Sequence, residues 1–214
     1  MEIKDLIDFN ILAKLIGIVD DLYSLICVGF SDIEPSLRIN LKKKLVRDVY
    51  TDTINNYFDS YIKRYKNLLA LPHINTYIVN SIGIYDERFF IYQTRVKRQE
   101  SINYKLFKKS KDSGGTYKLI DILNDLYGVR FKIKGYNNIK SNIEEAINFN
   151  KYYSSIKFLR RVVNNGSYKA DHIYFRSKES NWIFPIELQL WDFEDCDNND
   201  ESHKLYKRDY IHWV

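Results

Sequence analysis

The sequence reads Gly128-Val129-Arg130-Phe131-Lys132-Ile133-Lys134 near its middle, so that apolar and basic side chains alternate. Successive side chains of a β-strand point to opposite faces of the sheet. The alternation therefore predicts a strand with one apolar face toward the core and one basic face, formed by Arg130, Lys132 and Lys134.

A second alternating stretch, residues 182–190, has large apolar residues at its even-numbered positions. The same period of two places Glu187 and Gln189 together on the other face of a predicted strand. From periodicity alone, the default interpretation of both stretches is a half-exposed sheet with its charged side chains in water.

The remaining elements alternate between helix and strand. Periodicity predicts further strands at Phe89–Val96, Ile156–Val163 and His172–Arg176. It predicts helices at Ser101–Lys109, Tyr117–Leu126, Ile143–Phe149 and Glu201–Trp213. The predicted fold class is α+β, with a mixed β-sheet flanked by helices.

The N-terminal third is predicted to be helical. Apolar residues recur at helical spacing over residues 3–28, as one helix or as two separated at Gly17. A second helical pattern is predicted from Pro35 to about Leu71, with Pro72 ending it. We expect a helical segment, residues 1–72, that packs on a domain spanning residues 73–214 to form a single globular unit.

Composition narrows the class of protein. The 214 residues are 45% hydrophobic and 15% aromatic, which suits a folded chain of about one domain. The net charge of +5 fits a polyphosphate or nucleic-acid partner. Two cysteines exclude a disulfide framework, and with neither a signal peptide nor a membrane span predicted, a cytoplasmic location is expected.

Four short motifs occur in a fixed order. They are R-x-K-x-x-x-S-x-x-x-K at Arg95–Lys105, D-x-x-G-x-R at Asp125–Arg130, G-x-Y-x-x-x-H at Gly166–His172 and E-x-Q at Glu187–Gln189. The set resembles the synthetase domain of the RelA/SpoT alarmone family, over residues 89–191. The resemblance implies a nucleotidyltransferase-like fold and a transferase that moves the β,γ-pyrophosphate of ATP to a ribose 3′-hydroxyl.

The resemblance also implies the ATP-binding residues. Arg95 and Arg130 match the arginines that lie on either side of the adenine, a role that suits planar guanidinium groups. Lys97, Ser101 and Lys105 match the segment that contacts the triphosphate, and their spacing of four predicts one helix face.

The chemical centre and the acceptor side are implied in the same way. Asp125 matches a magnesium-binding aspartate and Glu187 a catalytic glutamate that helps to hold Mg²⁺ or takes the hydroxyl proton, with Gln189 as a positioning residue. Tyr168 matches the tyrosine that stacks on the acceptor base, and His172 the histidine that touches the acceptor phosphates or the transferred group.

The sequence departs from the family pattern at the acceptor side. One residue is inserted before Tyr168, and Leu190-Trp191-Asp192 follows E-x-Q where guanosine-specific members have a hydrophobic residue and then Arg-Thr. The chain also has no His-Asp dipeptide, so the family's hydrolase module is not expected.

The acceptor therefore stays open at this point. It is GDP or GTP, giving (p)ppGpp-type alarmones as in small alarmone synthetases, or the 3′-CCA end of tRNA, as in the toxic branch, which implies an antitoxin protein as a further partner. A tRNA acceptor needs a basic track, for which Lys42–Lys44 with Arg47, or Lys108, Lys109 and Lys111, are candidates. Oligomer formation is compatible with either acceptor.

Two other classes of function remain. One is a non-catalytic regulator that binds alarmones or other nucleotides through the same fold. The other is a basic nucleic-acid binder, which the acidic pair Asp125 and Glu187 disfavours because such a binder has no use for carboxylates that face phosphates.

Overall fold

The computed structural model describes residues 8–82, 90–154 and 156–202. Within them, five strands form one sheet in the order β1-β2-β5-β4-β3. The β2–β5 pair is parallel and the other three pairs are antiparallel, which confirms the predicted α+β class with a mixed sheet. The strands are β1 Phe90–Val96, β2 Tyr127–Ile133, β3 Ile156–Asn165, β4 Tyr168–Ser177 and β5 Ile186–Asp192.

Helices flank this sheet, and several of them contribute side chains to one apolar cluster with it. They are α1 Asp8–Ser31, α2 Asn56–Leu69, α3 Pro72–Ile82, α4 Gln99–Lys111, α5 Leu119–Ile122, α6 Tyr136–Ile139 and α7 Ile143–Tyr153. Val129, Phe131 and Ile133 are buried as the alternation predicts, in one apolar cluster that also contains side chains of α1. No helix in the described part of the chain is long and apolar enough to cross a membrane.

The N-terminal prediction is correct for the first helix and wrong for the second. α1 runs unbroken through Gly17, so the alternative of one helix holds. Pro35 begins only a 3₁₀ turn, Pro35–Leu37, and regular helix resumes at Asn56. The predicted end near Leu71 agrees closely with the end of α2 at Leu69, and Pro72 then occupies the first turn of α3, where no backbone N–H is needed.

Residues 38–55 are irregular because their backbone groups bond to other segments. The N–H of Leu41 donates to the Asn181 carbonyl at 2.8 Å, and the N–H of Val46 donates to the Tyr117 carbonyl at 2.9 Å. These bonds replace those of a helix, so the apolar residues of this stretch are buried without helical geometry. α2 then starts at the cap of Asn55, whose side chain accepts from the Phe58 N–H at 2.8 Å.

Other boundaries differ by local causes. The helix predicted at Tyr117–Leu126 is a single turn, α5, because the backbone leaves helical geometry at Leu123, with φ −102° and ψ 50°. β5 begins at Ile186 rather than at residue 182, since Pro185 has no N–H to give to a strand pair. Residues 196–202 are helical, and the rest of the helix predicted at Glu201–Trp213 lies outside the described residues, as does Phe89.

Candidate active site

Strand register brings the motif residues onto the face of the sheet opposite α1. Glu187 pairs with Gly128 on β2 and with Tyr174 on β4, and Gln189 pairs with Arg130 and His172. Because β5 is the central strand, Glu187 and Gln189 lie between the motif residues of β1 and β2 on one side and those of β4 on the other. This position could not be obtained from any one motif.

Glu187 and Gln189 are buried, not half-exposed as periodicity alone suggested. Each keeps 4% of its surface. Gln189 Nε2 donates to Glu187 Oε2 at 2.7 Å, and Arg130 Nε donates to Gln189 Oε1 at 2.9 Å. A buried carboxylate is costly unless it is paired, so this network holds Glu187 in one orientation.

Asp125 lies in the loop before β2 and is held by three cations. Lys97 Nζ is 2.5 Å from Oδ2, Lys105 Nζ is 3.1 Å from Oδ1, and Arg95 Nη2 is 3.9 Å from Oδ2. Through its contacts with Lys97 and Lys105, Asp125 brings the motif at Asp125–Arg130 next to the motif at Arg95–Lys105.

Arg95 links the two carboxylates. Its Nη2 atom is 3.9 Å from Asp125 Oδ2 and 3.6 Å from Glu187 Oε2. These two carboxylate oxygens can therefore be no farther apart than the two distances added together. Gly128 makes room for this side chain, because a Cβ there would lie 3.3 Å from Arg95 Nε. The glycine of D-x-x-G-x-R therefore has a steric role.

The charges of this cluster set its pKa values. Burial acts to raise the pKa of Asp125, but the ammonium groups of Lys105 and Lys97 overcome it and hold that pKa well below its usual range. Burial likewise opposes ionisation of Glu187, yet the hydrogen bond and charge of His172 leave its pKa lowered. Burial lowers the pKa of Lys97, against the opposing effect of Asp125. Both carboxylates are ionised at neutral pH.

Arg130 forms one wall of a cleft of about 400 Å³ beside these groups. Arg95, Gly128 and Gln189 also line it. The Arg130 guanidinium carbon lies 3.6 Å from the ring centre of the buried Trp191. This cation–π contact fixes the guanidinium plane.

His172 and Tyr168 continue the polar network on β4. His172 Nδ1 is 2.9 Å from Glu187 Oε1, and the Tyr168 hydroxyl is 2.9 Å from His172 Nε2. A proton on Nδ1 lets His172 donate to Glu187, and Nε2 and the Tyr168 hydroxyl form the second hydrogen bond. Tyr168 keeps only 8% of its surface, and burial raises the pKa of its hydroxyl to about 12. Its ring offers little open face to a base.

One part of the predicted donor geometry is wrong. Lys97 does not share a helix face with Ser101 and Lys105, because α4 begins at Gln99 and Lys97 lies in the extended link after β1. Ser101 is half-buried in the first turn of α4. Lys97 and Lys105 nevertheless meet, since both reach the same carboxylate.

No protein-family model and no curated protein matches this sequence. Among solved structures, the small alarmone synthetase 1 of Bacillus subtilis matches with 14% identity over 73% of this chain and 82% of that one, at a TM-score of 0.48. A GTP pyrophosphokinase family protein from Streptococcus pneumoniae matches with 16% identity over 72% and 79%, at 0.49. The small alarmone synthetase 2 of Bacillus subtilis matches with 20% identity over 71% and 80%, at 0.44. At this level of similarity, the likeness carries no argument about function.

Sequence reasoning missed three residues of the site. Tyr174 lies beside Glu187 on β4, and its hydroxyl is 3.4 Å from His172 Nδ1. The period of two that places Tyr168 and His172 on one face also places Tyr174 there, so the alternation of the sequence could have identified Tyr174. Trp191 lies on the same face of β5 as Glu187 and Gln189 by the same alternation. Asp200 reaches the site from residues 196–202, and no pattern in the sequence around it indicated this contact.

Asp125 and Glu187 are the carboxylates of this cluster that could hold a magnesium ion. Within residues 8–82, 90–154 and 156–202, no group of three or more His, Cys, Asp or Glu could hold a metal ion. Mg²⁺ is usually bound by one or two carboxylates, with waters and substrate phosphates completing its shell. Asp125 and Glu187 can supply those two carboxylates if the lysines on Asp125 turn to the phosphates.

Proposed function

We propose that the chain is a Mg²⁺-dependent pyrophosphokinase of the RelA/SpoT type. In this proposal it transfers the β,γ-pyrophosphate of ATP to a ribose 3′-hydroxyl. The observation that carries it is the approach of one Arg95 nitrogen to both Asp125 and Glu187, with Lys97 and Lys105 in the same cluster. Carboxylates for a metal ion and cations for phosphates are the two charge types that phosphoryl transfer requires.

On the donor side, Arg95 and Arg130 hold the adenine in the cleft, with Trp191 behind Arg130. Lys105 and the hydroxyl of Ser101 bind the triphosphate from α4, and Lys97 binds it from the link that precedes α4. Asp125 and Glu187 hold Mg²⁺, which when bound offsets charge on the phosphate oxygens.

On the acceptor side, Glu187 orients the 3′-hydroxyl. Because the pKa of Glu187 is lowered, its carboxylate is a better hydrogen-bond acceptor than a proton carrier near neutral pH. Gln189 keeps Oε2 in place, and His172 does the same for Oε1. Tyr168 receives the acceptor base once its ring is uncovered.

The acceptor is a guanine nucleotide, GDP or GTP, or the 3′-CCA end of tRNA. The fold supports the second choice by placing two basic runs side by side. The Leu119 N–H donates to the Lys44 carbonyl at 3.0 Å, and a Cβ on Gly115 would lie 3.0 Å from the Arg47 nitrogen. Residues 42–47 therefore lie next to the basic end of α4, whose lysines are Lys108, Lys109 and Lys111. The proposal includes a cytoplasmic location, where ATP and tRNA are available, and an antitoxin as partner if tRNA is the acceptor.

The test is transfer of label from ATP. With ATP labelled at the γ-phosphate, we expect label in GDP, GTP or deacylated tRNA, whereas ATP labelled at the α-phosphate leaves its label in AMP. Glu187→Gln, which keeps the side-chain size, should abolish transfer, and Glu145→Gln on an exposed face of α7 should not. Absence of γ-label from all three acceptors would refute the proposed activity.

The second candidate is a regulator that binds nucleotide without turnover. It is favoured by the contact of both Asp125 oxygens with lysines, which leaves neither free for a metal ion in this state. This function predicts that an ATP analogue binds with equal affinity to the wild-type protein and to Glu187→Gln, and that no acceptor is labelled.

A further inference from the structure

Residues 196–202, which we call the strap, cross the end of the β3–β4 hairpin. Asn199 anchors them. The Lys169 N–H donates to Asn199 Oδ1 at 2.8 Å, and Asn199 Nδ2 donates to the Lys169 carbonyl at 2.8 Å. Asn199 has no exposed surface, so this pair of hydrogen bonds to the backbone is protected from water.

The strap covers the tyrosine that the proposed function assigns to the acceptor base. Cys196 packs against the small cluster of Tyr168, Ala170 and Trp191. At the other end, Ser202 Oγ is 2.8 Å from Ser167 Oγ in the hairpin turn. Cys196 thus packs on the cluster that buries Tyr168 together with the rings of Trp191 and His172, and the Ser202–Ser167 contact fixes the strap beside the neighbouring residue.

Asp200 connects the strap to the basic face of β2. Its Oδ2 is 3.1 Å from Lys132 Nζ, and its Oδ1 is 3.9 Å from Arg130 Nη1. Both cations are largely buried, at 14% and 15% side-chain exposure, whereas Asp200 is 45% exposed. The carboxylate stands where an anionic group of a ligand would neutralise the same cations.

We propose that the strap is an autoinhibitory contact, which an anionic ligand opens by taking Lys132 and Arg130 from Asp200 and so uncovers Tyr168. This inference rests on the proposed function for the identity of the ligand, a phosphate-bearing acceptor. The opening itself requires no catalysis.

The strength of the contact suits such a switch. An ion pair with a half-exposed carboxylate contributes little to stability, and a polyphosphate carries several charges that can bond to both cations at once. The strap is therefore closed in the free protein but held weakly at its charged point. Asn199 is the stronger anchor, and its bonds report whether the strap is in place.

Hydrogen exchange of the Lys169 amide tests the proposal directly, since its acceptor is a strap atom. Asp200→Asn keeps the side-chain size and removes the charge, and Glu201→Gln makes the same charge change at the next, exposed residue. We expect Asp200→Asn to speed this exchange roughly two- to fivefold and Glu201→Gln to change it less than twofold. Inorganic tripolyphosphate, compared with sodium chloride at equal ionic strength, should speed exchange in the wild type and add little in Asp200→Asn.

Equal exchange rates in Asp200→Asn and the wild type would overturn the proposal, as would an equal effect of Glu201→Gln. If tripolyphosphate does not speed exchange of the Lys169 amide in the wild type, the proposal that anions open the strap is wrong. Failure of the proposed function is a separate result. It would show as absence of labelled acceptor, while the exchange differences between the variants would remain.

Discussion

Asp125→Asn should destabilise the free protein, because it leaves Lys97 and Lys105 without their shared anion and leaves Arg95 with Glu187 alone. Removing one partner of a fully buried ion pair costs about 3–5 kcal/mol. Here Lys105 and Arg95 are 28% and 42% exposed, so water screens part of the repulsion. We therefore expect a loss of about 2–3 kcal/mol in the free energy of unfolding at pH 7.

Urea denaturation of the wild type, of Asp125→Asn and of Asp121→Asn measures this loss in the free energy of unfolding. Asp121 is a matched control, since its carboxylate is 53% exposed and makes one ion pair, with Arg176 at 3.0 Å. That substitution should cost less than about 1 kcal/mol. Equal losses for the two variants at pH 7 would refute the account of the Asp125 cluster.

The dependence on pH has a defined sign. The pKa of Asp125 is lowered in the folded state, so its stabilisation is present above the unfolded pKa of about 3.9 and is lost as the pH falls below it. The stability difference between the wild type and Asp125→Asn should therefore shrink below about pH 4. A difference that stays constant from pH 7 to the acid limit of folding would show that charge is not its cause.

Three further substitutions test other parts of the account. Gly128→Ala should displace Arg95 by a few tenths of an ångström and weaken binding of an ATP analogue about three- to tenfold, measured by calorimetry, with little effect on stability. Trp191→Phe should weaken the same binding about two- to fivefold, because Arg130 loses its strongest cation–π partner. Asn55→Ala should lower the free energy of unfolding by about 1 kcal/mol in urea, since the first turn of α2 loses its cap.

Each of these has a control or a contrary outcome. Trp182→Phe changes a ring that stacks on Arg38 at 4.3 Å, so an equal loss of binding there would remove the special role of Trp191. Asn56→Ala, one residue after the cap, should have little effect on stability. Unchanged binding in Gly128→Ala would mean that Arg95 does not need the space.

The sequence by itself determined the direction of side chains on each strand. Alternation in residues 128–134 predicted which side chains are buried and that Arg130 and Lys132 share the other face, and both hold. The same period placed Glu187 beside Gln189. These are properties of one element, and local periodicity fixes them because backbone geometry sets the direction of each side chain.

Tertiary structure alone decided the distances between elements. The order β1-β2-β5-β4-β3 puts Glu187 at the centre of the sheet and buries it, and no local pattern encodes that order. The bonds of residues 38–55 to other segments override their helical pattern, and the strap brings Asp200 to Lys132 from 68 residues away. In each case, the contact joins parts of the chain that are remote in sequence, and its energy comes from packing and charge pairing that exist only once the sheet has formed.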